Sequence, residues 1–221
     1  MSEVLNLEHG LAALLAVTLG LLALRPVCWW ACSLLRELEQ QGQAVSQSYS
    51  GRALLCLLLI FFLALGGMVF GLSYKTAAVT VFVLCVLVLA WIDAETGYLP
   101  DALTLPLLWL GLLLNVQAMF TSLELAVLGA AGAYVFLWLI NAGFVVLRKK
   151  QGMGQGDFKL LAALGAWFGL TALPQLLLLS SLGSLLYALL LALTGRWHAG
   201  RYLHFGPYLA AAGLCQLFFL S

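Results

Sequence analysis

The sequence predicts an all-α fold, a polytopic helical membrane protein with about eight transmembrane helices, and three observations carry that expectation. Of its 221 residues, 64% are hydrophobic and only 9% are charged. Apolar runs of about 20 residues recur along the chain, the length that crosses a hydrocarbon core of about 30 Å. Lys and Arg collect in alternate gaps between these runs. A soluble domain could not solvate so much apolar surface, so residues 1–221 are expected to form a single integral membrane domain.

The first run, 10–31, is interrupted by Arg25-Pro26. Proline removes a helical N–H there, so the end of the run is expected to kink or to lie along the interface with Trp29 and Trp30. Glu3 and Glu8 precede it without Lys or Arg, the reverse of a signal-peptide n-region, so the run is expected to remain as a helix. A polar stretch rich in Gln and Ser, Glu39 to Ser50, reads as a mobile loop. Further spans are expected at 53–72, 76–92, 102–120, 125–147, 158–172, 174–193 and 203–220. Trp91, Trp109, Trp138, Trp167 and Trp197 read as interfacial belt residues.

This order of spans puts Arg36, Arg52, Arg148, Lys149, Lys150, Lys159, Arg196 and Arg201 on one side and Lys75 on the other. By the positive-inside rule the first group is cytoplasmic and both ends of the sequence are periplasmic. The basic residues are scattered, which excludes a nucleic-acid surface. Cys28, Cys32, Cys56, Cys85 and Cys215 contain no C-x-x-C pair and read as small apolar packing residues, with no metal site expected.

Against this background two carboxylates are candidates for chemistry, because ionisable groups beside membrane segments are expensive. Asp93 follows the apolar run Ala77 to Ile92, in the loop expected between the third and fourth spans; Asp157 precedes another run. Both fall on the cytoplasmic side by a count that used neither. Two carboxylates within a few Å share a proton, and such a pair can hold a water, take its proton and return one to a leaving amine. The alternative is that Asp93 only ends one helix and Asp157 only caps the next. Gly152, Gly154 and Gly156 in Gly152-Met153-Gly154-Gln155-Gly156-Asp157 disfavour helix, so an extended or looped segment with bare backbone is expected beside Asp157. These glycines lack the spacing and the Lys of nucleotide-binding loops.

The stretch Trp91-Ile92-Asp93-Ala94-Glu95-Thr96-Gly97-Tyr98-Leu99-Pro100-Asp101-Ala102-Leu103-Thr104-Leu105-Pro106, followed by Gly152 to Trp167, closely resembles the bacterial type IV prepilin peptidases. These are G-x-G-D intramembrane aspartic proteases of type IV pilus and type II secretion systems. Phe205-Gly206-Pro207-Tyr208-Leu209-Ala210 is also similar to that family, and the resemblance covers about residues 53–215. It implies that Asp93 and Asp157 are the catalytic pair. It also implies that the substrate is a prepilin or pseudopilin, a basic cytoplasmic leader ending in Gly before an apolar helix.

Many members carry a cytoplasmic insert with two zinc-binding C-x-x-C pairs, associated with N-methylation of the cleaved pilin. Here Arg36 to Arg52 is a short loop in that place and contains no cysteine. The resemblance therefore implies cleavage without a cofactor, and S-adenosylmethionine only where methyl transfer is retained. His204 stands where the family often has proline and reads as an interfacial side chain.

The remaining candidates are substrate-binding or supporting groups. Asp101 reads as an N-cap and Glu95 as a solvated loop residue, with contact to a basic leader the functional alternative for both. Gly154 and Gly156 would flank the scissile segment. Lys159, two residues beyond Asp157, points to another side of a helix, and snorkelling is the plain expectation for it. The expected reading is an inner-membrane peptidase contacting lipid and pilin; the motifs specify neither the particular pilin nor the oligomeric state. The rival is an ion- or proton-coupled transporter or channel component, which would be expected to hold charges deeper in its spans and to repeat its halves.

Overall fold

A computed structural model of the chain describes residues 18, 33, 49–71, 73–149, 152–195 and 204–220. Apart from Thr18, the expected span 10–31 lies outside the described residues, as do residues 39–48 of the loop expected at 39–50, Cys28, Cys32 and Trp197. Among those described, all regular structure is helical: α1 (Tyr49–Phe70), α2 (Tyr74–Thr96), α3 (Asp101–Asn115), α4 (Leu123–Arg148), α5 (Gln155–Phe168), α6 (Leu173–Leu193) and α7 (Gly206–Cys215). A 3-10 turn, Leu170–Ala172, leads into α6, and a π turn, Gln216–Leu220, follows α7.

Among the described residues, three stretches are long and apolar enough to cross a membrane: Tyr74–Thr96, Leu123–Arg148 and Leu170–Leu193, of 23, 26 and 24 residues. With 15 and 14 residues, α3 and α5 reach only about 22 and 21 Å, short of a full hydrocarbon core.

The chain divides into two compact units, residues 1–96 and 97–221. In the first, α1 and α2 pack as a hairpin turned at Gly71, whose φ of 61° is open to glycine without strain. Leu55, Leu59 and Leu63 on α1 are buried, as is the stripe Phe82, Val86, Leu89 on α2. Asp93 extends that stripe by four residues. It is thus a helical residue, not the loop residue expected, because α2 runs on to Thr96.

In the second unit, α3 and α5 run parallel with α4 antiparallel to both. Lys159 reaches Asp101 at one end, and at the other Trp167 Nε1 donates to the Leu107 carbonyl (2.9 Å). Asn115 is buried and fully bonded: Nδ2 donates to the carbonyls of Ala166 (2.8 Å) and Trp167 (3.0 Å). Its Oδ1 accepts from the amides of Phe120 (3.0 Å) and Thr121 (3.1 Å). That side chain ends α3 five residues before the expected boundary at 120, although the apolar run continues. The ring of Phe120 then packs on Trp167 at 5.3 Å between centroids, tilted by 46°.

Two belt assignments are corrected by burial. Trp167 is inaccessible and Trp91 is buried, so both are packing residues, whereas Trp109 and Trp138 are exposed. Finally, α7 packs on α5 and α6, with Tyr208 set against Tyr187.

Candidate active site

Asp93 lies near the C-terminal end of α2 and is 4% exposed; Glu95, two residues on, is half-buried. Both belong to the first unit. The second unit holds Asp101, Gly154, Gly156, Asp157 and Lys159.

The segment 152–159 is fastened almost residue by residue. The Oδ1 of Asn141, on α4, accepts from the amides of Gly152 and Met153, each at 3.2 Å. Gly154 is the N-cap of α5, with extended backbone (φ −69°, ψ 143°). Gly156 sits so close to Leu99 that a Cβ there would stand 2.7 Å from Leu99 Cβ. Asp157 follows in the first helical turn, 8% exposed, and its amide donates to the Gly154 carbonyl (3.3 Å). Phe158 is buried edge-on against Tyr134 of α4, with centroids 6.1 Å apart. Lys159 Nζ contacts both carboxylate oxygens of Asp101, at 2.6 and 2.7 Å.

Four expectations change here. Only the first part of the glycine segment is extended, because Gln155 and Gly156 are helical. Glycine is needed at 156 for close approach, and that packing outweighs a helix propensity cost of up to about 1 kcal/mol. Asp157 is a first-turn residue instead of the cap; its charge there complements the positive end of the helix dipole. The cap of α3 is Pro100, leaving Asp101 as the first helical residue, bound to Lys159 instead of to its own backbone; Lys159 pairs instead of snorkelling.

Gly97 turns the chain with a φ of 67°. The exposed His204 covers it: a Cβ on Gly97 would stand 2.7 Å from both Cδ2 and Nε2 of that ring. Sequence reasoning missed Asn115 and Asn141. Their signal was present, since an amide within an apolar run must find partners.

The Lys159–Asp101 pair joins the start of α3 to the start of α5, with side chains 27% and 50% exposed. Exposed pairs are worth about 0–1 kcal/mol. Asp101→Asn and Lys159→Met are each expected to lower stability by no more than about 1 kcal/mol, and the double variant by no more than the larger single. Thermal unfolding in detergent measures this, and additive losses would mean that the two side chains act separately.

Helices of membrane-spanning length, with buried carboxylates at helix ends, define a helical membrane protein whose charged groups are placed for a purpose. Residues 80–189 match the Type IV leader peptidase family, and the chain belongs to that family. It is 50% identical over 145 residues to a prepilin leader peptidase/N-methyltransferase of Burkholderia pseudomallei, covering 65% of this chain and 47% of the relative. Proteins of the same name from Aeromonas hydrophila and Neisseria gonorrhoeae are 48% identical over 145 residues and 46% over 144. Those alignments cover 66% and 65% of this chain and 50% and 49% of the relatives. The chain thus spans about half the length of the curated relatives it matches. No solved structure matches it.

Proposed function

We propose that this chain is an intramembrane aspartic endopeptidase that removes the basic leader of a prepilin or pseudopilin, after Gly, at the cytoplasmic face of the bacterial inner membrane. The observation that carries the reading is that the family match, residues 80–189, encloses both Asp93 and Asp157. Each is a buried carboxylate at a helix end, and apolar packing does not require a carboxylate at either position.

In this mechanism the two aspartates share one proton around a water. The ionised carboxylate takes a proton as the water oxygen attacks the scissile carbonyl, and the pair returns a proton to the departing amine. The pair titrates as a unit, so acid and base are shared roles. Gly152 and Gly154 are exposed, and a Cβ on Gly154 would stand 3.7 Å from Asp157 Oδ2, so bare backbone lies beside the carboxylate. An extended scissile segment fits that surface. The leader is proposed to lie near Glu95 and Asp101, the latter as half of its pair with Lys159.

About eight membrane spans, with both aspartates on the cytoplasmic side, are proposed from the Lys/Arg asymmetry. The mechanism uses no metal or cofactor. Methyl transfer, part of the relatives' name, is not proposed, because Arg36 to Arg52 supplies no cysteine ligands.

The test is purified protein in lipid with a prepilin, labelled S-adenosylmethionine and a metal chelator. Leader removal without label on the mature pilin is expected. Uncleaved prepilin would overturn the peptidase reading, and labelled pilin would overturn the exclusion of methyl transfer.

A further inference from the structure

The start of α5 fixes where Asp157 points, and its N-cap contributes no side chain to fixing that start. Its N-cap is Gly154, which offers no side chain to the orphan first-turn amides. Upstream, α4 ends at Arg148 and the chain turns at Lys149 with φ 54°. A slip of α5 by one residue in register would rotate Asp157 by about 100° around the axis. Contacts between helices therefore help to set the register.

At this point Asn141 makes one polar contact, and Lys159, paired with Asp101 of α3, makes another. Asn141 lies on α4, seven residues before Arg148, in a helix whose surrounding residues are apolar. Its Oδ1 takes two consecutive amides, Gly152 and Met153, at 3.2 Å each. Phe144, three residues on and so on the same face, closes the seat: a Cβ on Gly152 would stand 2.7 Å from its ring. Glycine at 152 is thus demanded by the approach to α4, since its φ is not among the positive ones. The far ends of α4 and α5 are already pinned where Gly129 meets Gly165. Asn141 and Phe144 supply the near-end attachment of the incoming strand.

We propose that Asn141 is a positioning residue: by holding the amides of Gly152 and Met153 it sets the first turn of α5 and presents the carboxylate of Asp157. This rests on the reading of Asp157 as catalytic. The chemistry assigns the part to the amide oxygen alone, because only an acceptor can take two N–H groups.

Asn141→Ala removes the acceptor and leaves a good helix former, so the protein still accumulates. In lipid nanodiscs it is expected to lower kcat about 100-fold, as misplacement by about 1 Å does, with KM within about threefold. Amide exchange across 152–157 is expected to rise at least about tenfold. Asn141→Asp retains an oxygen acceptor at the same reach and is expected to restore both readouts to within about threefold. A kcat for Asn141→Ala near that of the unaltered protein, or unchanged exchange, overturns the proposal; so does failure of Asn141→Asp to rescue. Asp157→Asn is the control. If it cleaves normally, the catalytic reading fails and positioning with it, whereas the exchange of Asn141→Ala separately reports whether the loop is held.

Discussion

Asp157→Asn is expected to abolish leader removal, lowering the cleavage rate by at least about 100-fold, while the protein accumulates in membranes at its normal level. Asp93→Asn is expected to do the same. Asn keeps the shape of the side chain and loses the titrating group, so stability and chemistry separate. A buried first-turn carboxylate such as Asp157 gains up to about 2 kcal/mol from the helix N-terminus, so removing its charge costs a limited part of total stability. Loss of general acid–base catalysis by one member of a dyad has the greater effect, raising the barrier by about 3–5 kcal/mol. The measurement is prepilin processing in a host without other such peptidases, with membrane content quantified in parallel. Near-normal processing by either variant would show that the two carboxylates are not the reacting pair. A transporter that relays protons through these groups would process no prepilin in that host, with or without either substitution.

The helical class and seven of the expected helical stretches are legible in the sequence because apolar length is a strong signal. The helices at 49–70, 74–96, 123–148 and 173–193 follow the runs closely. Runs misplace ends where polar bonds or glycines intervene. The run through Phe120 conceals the turn that Asn115 imposes, and the run 158–172 conceals the break at Gly169, where φ is 83°. The candidate aspartates were legible as costly charges in an apolar chain. Asp101 and Lys159 were legible as candidates, but their pairing was not: it joins residues 58 apart, and no local spacing announces it. Glycine showed the same limitation. Gly156 looks like a helix breaker in sequence and proves to be a helical residue selected for the closeness of Leu99.

Gly165→Val is expected to destabilise the protein by about 3 kcal/mol, the upper end of the usual range for overpacking. The helices α4 and α5 cross with their backbones in contact. A Cβ on Gly165 would stand 2.5 Å from the Gly129 carbonyl oxygen and 2.6 Å from its carbon; one on Gly129 would stand 2.6 Å from the Gly165 oxygen. Backbone atoms cannot rotate aside as a side chain can, so the helices must separate. Close packing through small residues is what holds membrane helices together, since lipid supplies no hydrophobic drive between them. Separation would loosen the buried Leu160, Leu161, Leu164 and Trp167 together. Gly143, on the same helix as Gly129, provides the opposite sign. A Cβ there meets nothing within 4 Å among the described residues, so Gly143→Ala gains helix propensity of about 0.5–1 kcal/mol without a clash. Thermal unfolding in lipid or detergent should thus move the two variants in opposite directions, down for Gly165→Val and up or level for Gly143→Ala. Equal shifts would mean that glycine content, and not the contact between α4 and α5, governs the stability of this unit.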